Sequence, residues 1–276
     1  MDYLAPLPEN VIPVGGLHIK DPKHLPKNLE EFMNSSKKGV VLFSLGSHFR
    51  SELMTVEKQK MFIDVFSQLP DYHFLWKFES NLSHSKLPKN VQIYSWLPLS
   101  DALAHPKTKL ILFHGGLLTT QETIWRGVPM VIMPLVLDQH QNLIKTRRLG
   151  MAEGINFINL NTADIKSTLI KVIENANYSI NAKKASRKYR DQMEKPLDRA
   201  VWWIEWVLRN QDVEYLRSPV LRLGYFVGNS FDILAFVFCF VLLSFAVIFI
   251  TVFYLMKKLW TVIKSKVLST VKVKTN

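Results

Sequence analysis

Between positions 113 and 122 the chain reads Phe-His-Gly-Gly-Leu-Leu-Thr-Thr-Gln-Glu. An apolar run, Leu110 to Phe113, stops at His114-Gly115-Gly116 and gives way to a helix-forming segment carrying Thr119, Thr120 and Glu122. A strand, a tight turn and a helix start in that order aim unpaired backbone N–H groups and the positive end of a helix dipole at one point. Such a point favours a bound phosphate. Glycines at 115 and 116 let the phosphate approach because no Cβ stands in its way. Gly-Gly also suits any strand-to-helix junction on steric grounds, so the pair alone leaves both readings open. A second polar cluster, Asp138-Gln139 with Asn142, follows the next apolar run, Met130 to Pro134. Ligands gather outside the carboxyl ends of strands in an open α/β sheet, so the two clusters should converge on one crevice.

Several elements must hold those clusters in place. Val40 to Ser44 is a short β-branched apolar run, expected to be a buried parallel strand, with Leu45-Gly46-Ser47 as the turn after it. Thr55 should cap a helix over Val56 to Gln68, whose apolar residues Met61, Phe62, Val65 and Phe66 fall on one face. Further strands are expected at His73 to Phe78, Val91 to Trp96, Leu110 to Phe113 and Met130 to Met133. Helices should start near Ser100, Thr119 and Gln139, which makes the fold α/β, a Rossmann-like parallel sheet covered by helices. Later helices are expected at Ala163 to Asn175, Ile180 to Met193 and Leu197 to Leu208. Trp202, Trp203 and Trp206 in the last of these read as core and membrane-proximal packing.

Neither G-x-G-x-x-G after a strand nor G-x-x-x-x-G-K-[ST] occurs, which disfavours a nicotinamide dehydrogenase and a P-loop NTPase. His105, His114 and His140 do not combine with acids at metal-ligand spacing, so no metal is expected.

Composition sets the outer bounds. A chain of 276 residues that is 48% hydrophobic can build one sizeable domain with appendages. The formal charge of +12 does not signal nucleic acid, because Lys257, Lys258, Lys264, Lys266, Lys272 and Lys274 concentrate half of it in one acid-free tail. That tail follows Ile233 to Met256, an apolar and aromatic run longer than the ~20 residues that cross a bilayer as a helix. Tyr254 and Trp260 suit the membrane interface. By the positive-inside rule the tail is cytosolic and the domain before it luminal or exterior. Sequons at Asn34, Asn81 and Asn177 agree with that side. The single cysteine, Cys239, lies inside the span, so no disulfide framework is expected. Residues Met1 to Gly16 hold neither a basic n-region nor an apolar h-region, although the domain before the span must be translocated. The simplest expectation is that the chain is the C-terminal part of a longer protein.

Trp96-x-Pro98, His105-Pro106, His114-Gly115-Gly116, Glu122, Gly127-Val128-Pro129 and Asp138-Gln139-x-x-Asn142, in that order, closely resemble the signature of the UDP-glycosyltransferases. The animal UDP-glucuronosyltransferases are among them. Val14-Gly15-Gly16, Phe43-Ser44-Leu45-Gly46-Ser47, Trp76-Lys77 and the terminal apolar segment with its basic tail extend the likeness over nearly the whole chain. His-Gly-Gly-Leu-Leu-Thr looks most like invertebrate members. Lys272 and Lys274 near the C-terminus resemble a dilysine signal for retrieval to the endoplasmic reticulum.

The resemblance implies the C-terminal half of a GT-B fold followed by a single transmembrane helix. The implied division is 1–20 an extended interdomain segment, 21–212 a UDP-sugar-binding Rossmann-like domain, 213–232 a juxtamembrane segment, 233–256 the membrane helix and 257–276 a cytosolic basic tail. Trp96 would stack on uracil, and His114 with the N–H groups around Gly116 and Thr119 would hold the diphosphate. Glu122 would accept from the ribose hydroxyls, Asp138 and Gln139 would bind the hydroxyls of the transferred sugar, and Ser47 would lie beside the phosphates near the acceptor. No cofactor beyond the UDP-sugar donor, UDP-glucose or UDP-glucuronic acid, is implied.

The implied reaction is inverting hexosyl transfer to a small lipophilic acceptor, in a single-pass endoplasmic reticulum membrane protein with a luminal main domain. The family's catalytic His and Asp belong to its N-terminal half, so the expected partners are the missing N-terminal half or a full-length homologous enzyme. The alternatives are a truncated, non-catalytic partner that regulates full-length enzymes, and a sugar-independent membrane scaffold. Two positions depart from the family pattern. Leu99 replaces a usual Gln and removes a polar contact of about 1 kcal/mol beside the uracil or ribose. Phe113 stands where Thr commonly precedes His-Gly-Gly.

Overall fold

Strand positions with apolar side chains on both faces need cover on both sides, and the computed structural model arranges them that way. It describes residues 7, 10–80, 87–210, 212, 213, 216, 217, 220 and 223–273. The Asn81 sequon, positions 1–6 and the terminal Lys274 lie outside the described residues. Described residues fall into two units, one within 12–209 and the other within 7–11 and 210–276.

In the first unit the order along the chain is α1 (Lys27–Asn34), β1 (Gly39–Ser44), α2 (Val56–Ser67), β2 (Tyr72–Lys77), β3 (Val91–Tyr94), α3 (Leu99–Ala104), β4 (Thr108–Phe113) and α4 (Leu117–Arg126). There follow β5 (Met130–Ile132), α5 (Gln139–Arg148), β6 (Ala152–Gly154), α6 (Thr162–Glu174), α7 (Ala176–Arg190) and α8 (Pro196–Arg209). The six strands form one sheet in the order β3-β2-β1-β4-β5-β6, and every pairing is parallel. Strand order reverses between β1 and β4, where Ser44 pairs with Phe113.

Alternate residues of the central strands enter opposite layers, as the two-residue period of a strand requires. Val41, Phe43, Leu110 and Leu112 pack with Phe62 and Phe66 of α2 and Ile165 and Leu169 of α6. Val40, Leu42, Ile111 and Phe113 pack with Leu29 and Met33 of α1, Ile124 of α4 and Ala182 and Ala185 of α7. Phe113 is therefore a core residue, which accounts for an aromatic side chain at that departure from the family pattern. The Thr55 hydroxyl accepts from the Lys58 N–H, so α2 starts where its capping residue places it.

The expected strands and helices are present, with ends displaced. α4 starts at Leu117 and not at Thr119, and α7 at Ala176 and not at Ile180. β6 and α1 were not among the expected elements. The signal of β6 is faint because it is only three residues long, whereas α1 does carry an apolar face at helical spacing in Leu29, Phe32 and Met33. The reading of Trp202, Trp203 and Trp206 as core packing does not hold: Pro196 is the only buried residue of α8, and Trp202 is 48% exposed. These rings instead meet one another edge to face, at 4.9 Å for Trp202–Trp203 and 5.6 Å for Trp203–Trp206. The apolar pattern that signals burial is there, but no described element of the unit covers that face.

The second unit contains α9 (Gly224–Gly228) and α10 (Phe231–Val273). Phe231–Thr261 is long and apolar enough to cross a membrane, and none of it is buried. α10 runs past the expected end at Met256 into the lysine tail, because no Gly or Pro interrupts it.

One polar knot holds the far edge of the sheet. Glu153 in β6 accepts hydrogen bonds from Lys171 of α6 at 2.7 Å, Tyr178 of α7 at 2.6 Å and Arg147 of α5 at 2.8 Å. Burial pushes its carboxyl upward, but those three donors outweigh burial and hold it well below the usual carboxylate value of 4.5, at about 2. The knot's stability is therefore present above the unfolded-state pKa and is lost as pH falls toward about 2. Glu153→Gln should cost about 1–2 kcal/mol at neutral pH, the value of its charge-assisted bonds after solvent screening at the exposed Lys171 and Arg147 ends. Thermal melts of the two chains from pH 7 down to pH 3 check this, and the difference between them should shrink as pH falls.

Candidate functional site

The turns that follow β1 and β4 leave the sheet side by side, because Ser44 and Phe113 are paired neighbours. A Cβ on Gly46 would lie 2.6 Å from Cε1 of His114, and a Cβ on Gly116 would lie 2.6 Å from its Nε2. The imidazole is thus clasped between two backbone positions that tolerate no side chain. Gly115, at φ +93°, would put a Cβ 2.7 Å from Cγ2 of Ile132. The glycine pair expected to admit a phosphate therefore serves first to seat His114 and the neighbouring strand.

Burial depresses the pKa of His114 below the ordinary 6.5; the nearby Asp138 carboxylate opposes that shift and His48 adds to it. The ring is accordingly neutral at pH 7. Its Nδ1 is buried, and a hydrogen bond with the backbone of Ser44 also favours the protonated ring without overcoming burial. Phe49 stands 5.9 Å from the imidazole, centroid to centroid.

Helix α4 opens directly beyond this ring, with Gly116 as its N-cap and no side-chain cap. Its first intrahelical bond runs from the Thr120 N–H to the Gly116 carbonyl at 2.9 Å, so the amides of Leu117, Leu118 and Thr119 precede the helical ladder. Thr119 and Glu122 are both half-buried on this helix.

The Asp138 cluster meets the glycine turn through Asn142. Its Nδ2 donates to the Gly115 carbonyl at 2.9 Å and to Oδ2 of Asp138 at 2.8 Å. The two polar clusters read from the sequence are therefore one hydrogen-bonded unit. Gln139 is buried, and its Oε1 accepts from the N–H groups of Leu135 at 2.7 Å and Val136 at 3.1 Å, with Nε2 as the remaining polar end. Leu137, directly before Asp138, adopts φ +56° while 86% exposed, a left-handed conformation that costs an L-residue about 1 kcal/mol.

Ser47 is exposed beside the clasp, with Oγ 3.4 Å from Nδ1 of His48. Trp96 lies further along the rim, after the edge strand β3 and 71% exposed. β3 is three strands from β4, which separates the tryptophan end of the rim from the imidazole end by about 14 Å at the usual strand spacing. Ser47, His114, Gly116, Thr119 and Asp138 are thus gathered around the strand switch, and Trp96 marks the other end of the same rim. His48 and Phe49 were not singled out from the sequence, although the turn immediately before them was.

A family model described as UDP-glucoronosyl and UDP-glucosyl transferase matches residues 1–267. The chain belongs to that family. UDP-glucuronosyltransferase 2A3 of Pongo abelii is 40% identical over 236 residues, covering 85% of this chain and 44% of the relative. UDP-glucuronosyltransferase 2B15 of Homo sapiens is 39% identical over 236 residues, with the same coverage. This family member therefore spans about 44% of the length of the curated relatives it matches. Among solved structures, an Os79 variant from O. sativa in complex with UDP aligns with a TM-score of 0.58 and 23% identity, over 72% of this chain and 47% of that one. The glycosyltransferase VinC in complex with DTDP gives 0.57 and 22%, over 68% and 46%. At that identity the two structures show a shared fold, the parallel sheet of a GT-B glycosyltransferase domain.

Gly116→Ala should force the imidazole out of its seat, at about 1–3 kcal/mol of stability as for other overpacked sites. The titration midpoint of His114, followed by NMR of its ring, should then rise toward 6.5 as burial is relieved. In the unaltered chain the neutral buried ring adds stability above that ordinary value, and the contribution is lost as pH falls through the lowered one.

Proposed function

We propose that this chain binds the uridine diphosphate of a UDP-sugar along the strand ends and presents the sugar for inverting hexosyl transfer to a small lipophilic acceptor. Trp96 takes the uracil by stacking, and Glu122 accepts from the ribose hydroxyls. The diphosphate lies against His114, the backbone at Gly116 and Thr119, and the open end of α4, with Ser47 alongside. Asp138 and the Nε2 of Gln139 face the hydroxyls of the sugar, glucose or glucuronic acid.

In the transfer, the acceptor oxygen attacks the anomeric carbon from the face opposite UDP, and the bond to the β-phosphate oxygen breaks. UDP departs with the electron pair, while the acceptor's proton passes to a base contributed from outside the residues of this site. A neutral imidazole donates a hydrogen bond to the oxygen on which charge grows, and the helix dipole favours the same charge. Both act from fixed positions, so little reorganisation accompanies bond breaking.

We further propose that residues 233–256 anchor the chain in the endoplasmic reticulum membrane, with the sheet domain luminal and the lysine tail cytosolic. The apolar length of α10 and the charge of its tail support that placement.

The observation that carries the nucleotide reading is the His114 ring seated between Gly46 and Gly116 at the start of α4, on one rim with the exposed Trp96. Titration calorimetry of the full chain in detergent with UDP tests it. Trp96→Ala should raise Kd roughly tenfold to a hundredfold, the 1–3 kcal/mol of one base–aromatic stack. A chain that gives neither heat nor a melting shift with UDP overturns the reading.

A further inference from the structure

Lys77 ends β2 and is 9% exposed. Lysine is seldom buried without a partner. Its Nζ donates to Oε1 of Glu79 at 2.6 Å and to the carbonyl of Gly46 at 3.0 Å, and it stands 5.9 Å from the centroid of the Trp96 ring. The backbone N–H of Glu52 donates to Oε2 of Glu79 at 3.4 Å, which orients the carboxylate toward the lysine. Because β2 lies between β3 and β1, this ammonium sits between the turn that carries Gly46 and Ser47 and the loop that carries Trp96.

A buried lysine–carboxylate pair is commonly just a filled, charge-balanced hole, with little net effect on stability. That role requires only Glu79. It explains neither the bond to the Gly46 carbonyl nor an ammonium within cation–π range of an indole that is itself 71% exposed. Gly46 is one jaw of the clasp around His114, and Trp96 stands at the opposite end of the rim.

We propose that Lys77 is a positioning residue that ties the Gly46 turn to the Trp96 indole and so fixes the spacing between the phosphate end and the base end of the donor site. The inference rests on the nucleotide reading of that site. Lys77 acts through Gly46 and Trp96, and its effect is greatest for a ligand that must satisfy both ends at once.

The test uses the full chain in detergent, labelled with 5-fluorotryptophan. The Trp96 resonance is assigned among the seven tryptophans by Trp96→Phe. Lys77→Met keeps the stem and removes the charge; Lys77→Arg keeps a cation and its donors. Without nucleotide, the Met variant should shift and broaden the Trp96 signal while the Trp125 signal stays put, and the Arg variant should restore most of it. With ligand, Lys77→Met should raise Kd for UDP about tenfold and for uridine less than threefold.

An unmoved Trp96 signal overturns the proposal. So do equal losses for uridine and UDP, or disturbance of all the indoles alike, since either marks a purely structural lysine. Should Lys77→Met fail to fold, Glu79→Gln, which keeps an acceptor but drops the carboxylate charge, should move the same Trp96 signal by a smaller amount, and no movement there is equally fatal. If the unaltered chain does not bind UDP, the nucleotide reading falls, while the Trp96 signal of the nucleotide-free variants still decides the tether itself.

Discussion

The imidazole of His114 stands where the two central strands β1 and β4 end, and Gly46 and Gly116 leave room for it on either side. Much of this end of the sheet follows from that seating. The ring reaches its place only because Ser44 and Phe113 are in register, and that register depends on the apolar cores on both faces of the sheet. Phe113 anchors one side of the turn in the core while its neighbour is lifted toward the crevice, the alternation that a strand imposes on successive residues. The α4 amides and the Asn142 tether then close around a ring that burial has already made neutral.

The central strands are legible in the sequence because each is a short apolar run that a parallel sheet buries on both faces, and turn residues bound each run. The convergence of the polar clusters is legible too, since the carboxyl ends of neighbouring strands share one rim. The part played by the glycines is harder to read. A pattern of Gly-Gly after a strand says that a Cβ is not tolerated, but it does not say whether the space belongs to a ligand or to His114, and Gly46 comes from another strand altogether. The tryptophans of α8 show the converse difficulty. An apolar periodicity announces a face that seeks cover, and whether cover exists is settled by elements elsewhere in the chain. Gln139 lies between these cases: its polar character is evident from sequence, but the commitment of its Oε1 to the Leu135 and Val136 amides depends on a turn whose shape only the fold reveals.

Membership of the UDP-glucoronosyl and UDP-glucosyl transferase family and the alignment of the sheet with GT-B domains agree with the strand-switch geometry, and each rests on a different kind of observation. The family match draws on residue identity along the chain, and the structural alignment on backbone path. The clasp draws on interatomic distances that neither comparison uses. Their agreement concerns the family and the fold of the sheet, and the proposed donor site lies on the rim formed by β3, β2, β1 and β4.

The two outermost strands offer only short side-on surfaces: β3 has four residues and β6 has three. A long bare margin invites a second polypeptide to add itself as one more strand, the first step toward fibrous aggregates. Here such a guest would find only a few ladder positions, and at β6 it would meet the charged groups of Arg147 and Lys171 gathered around Glu153. The brevity of these margins therefore guards the chain during synthesis and storage, when many copies crowd together.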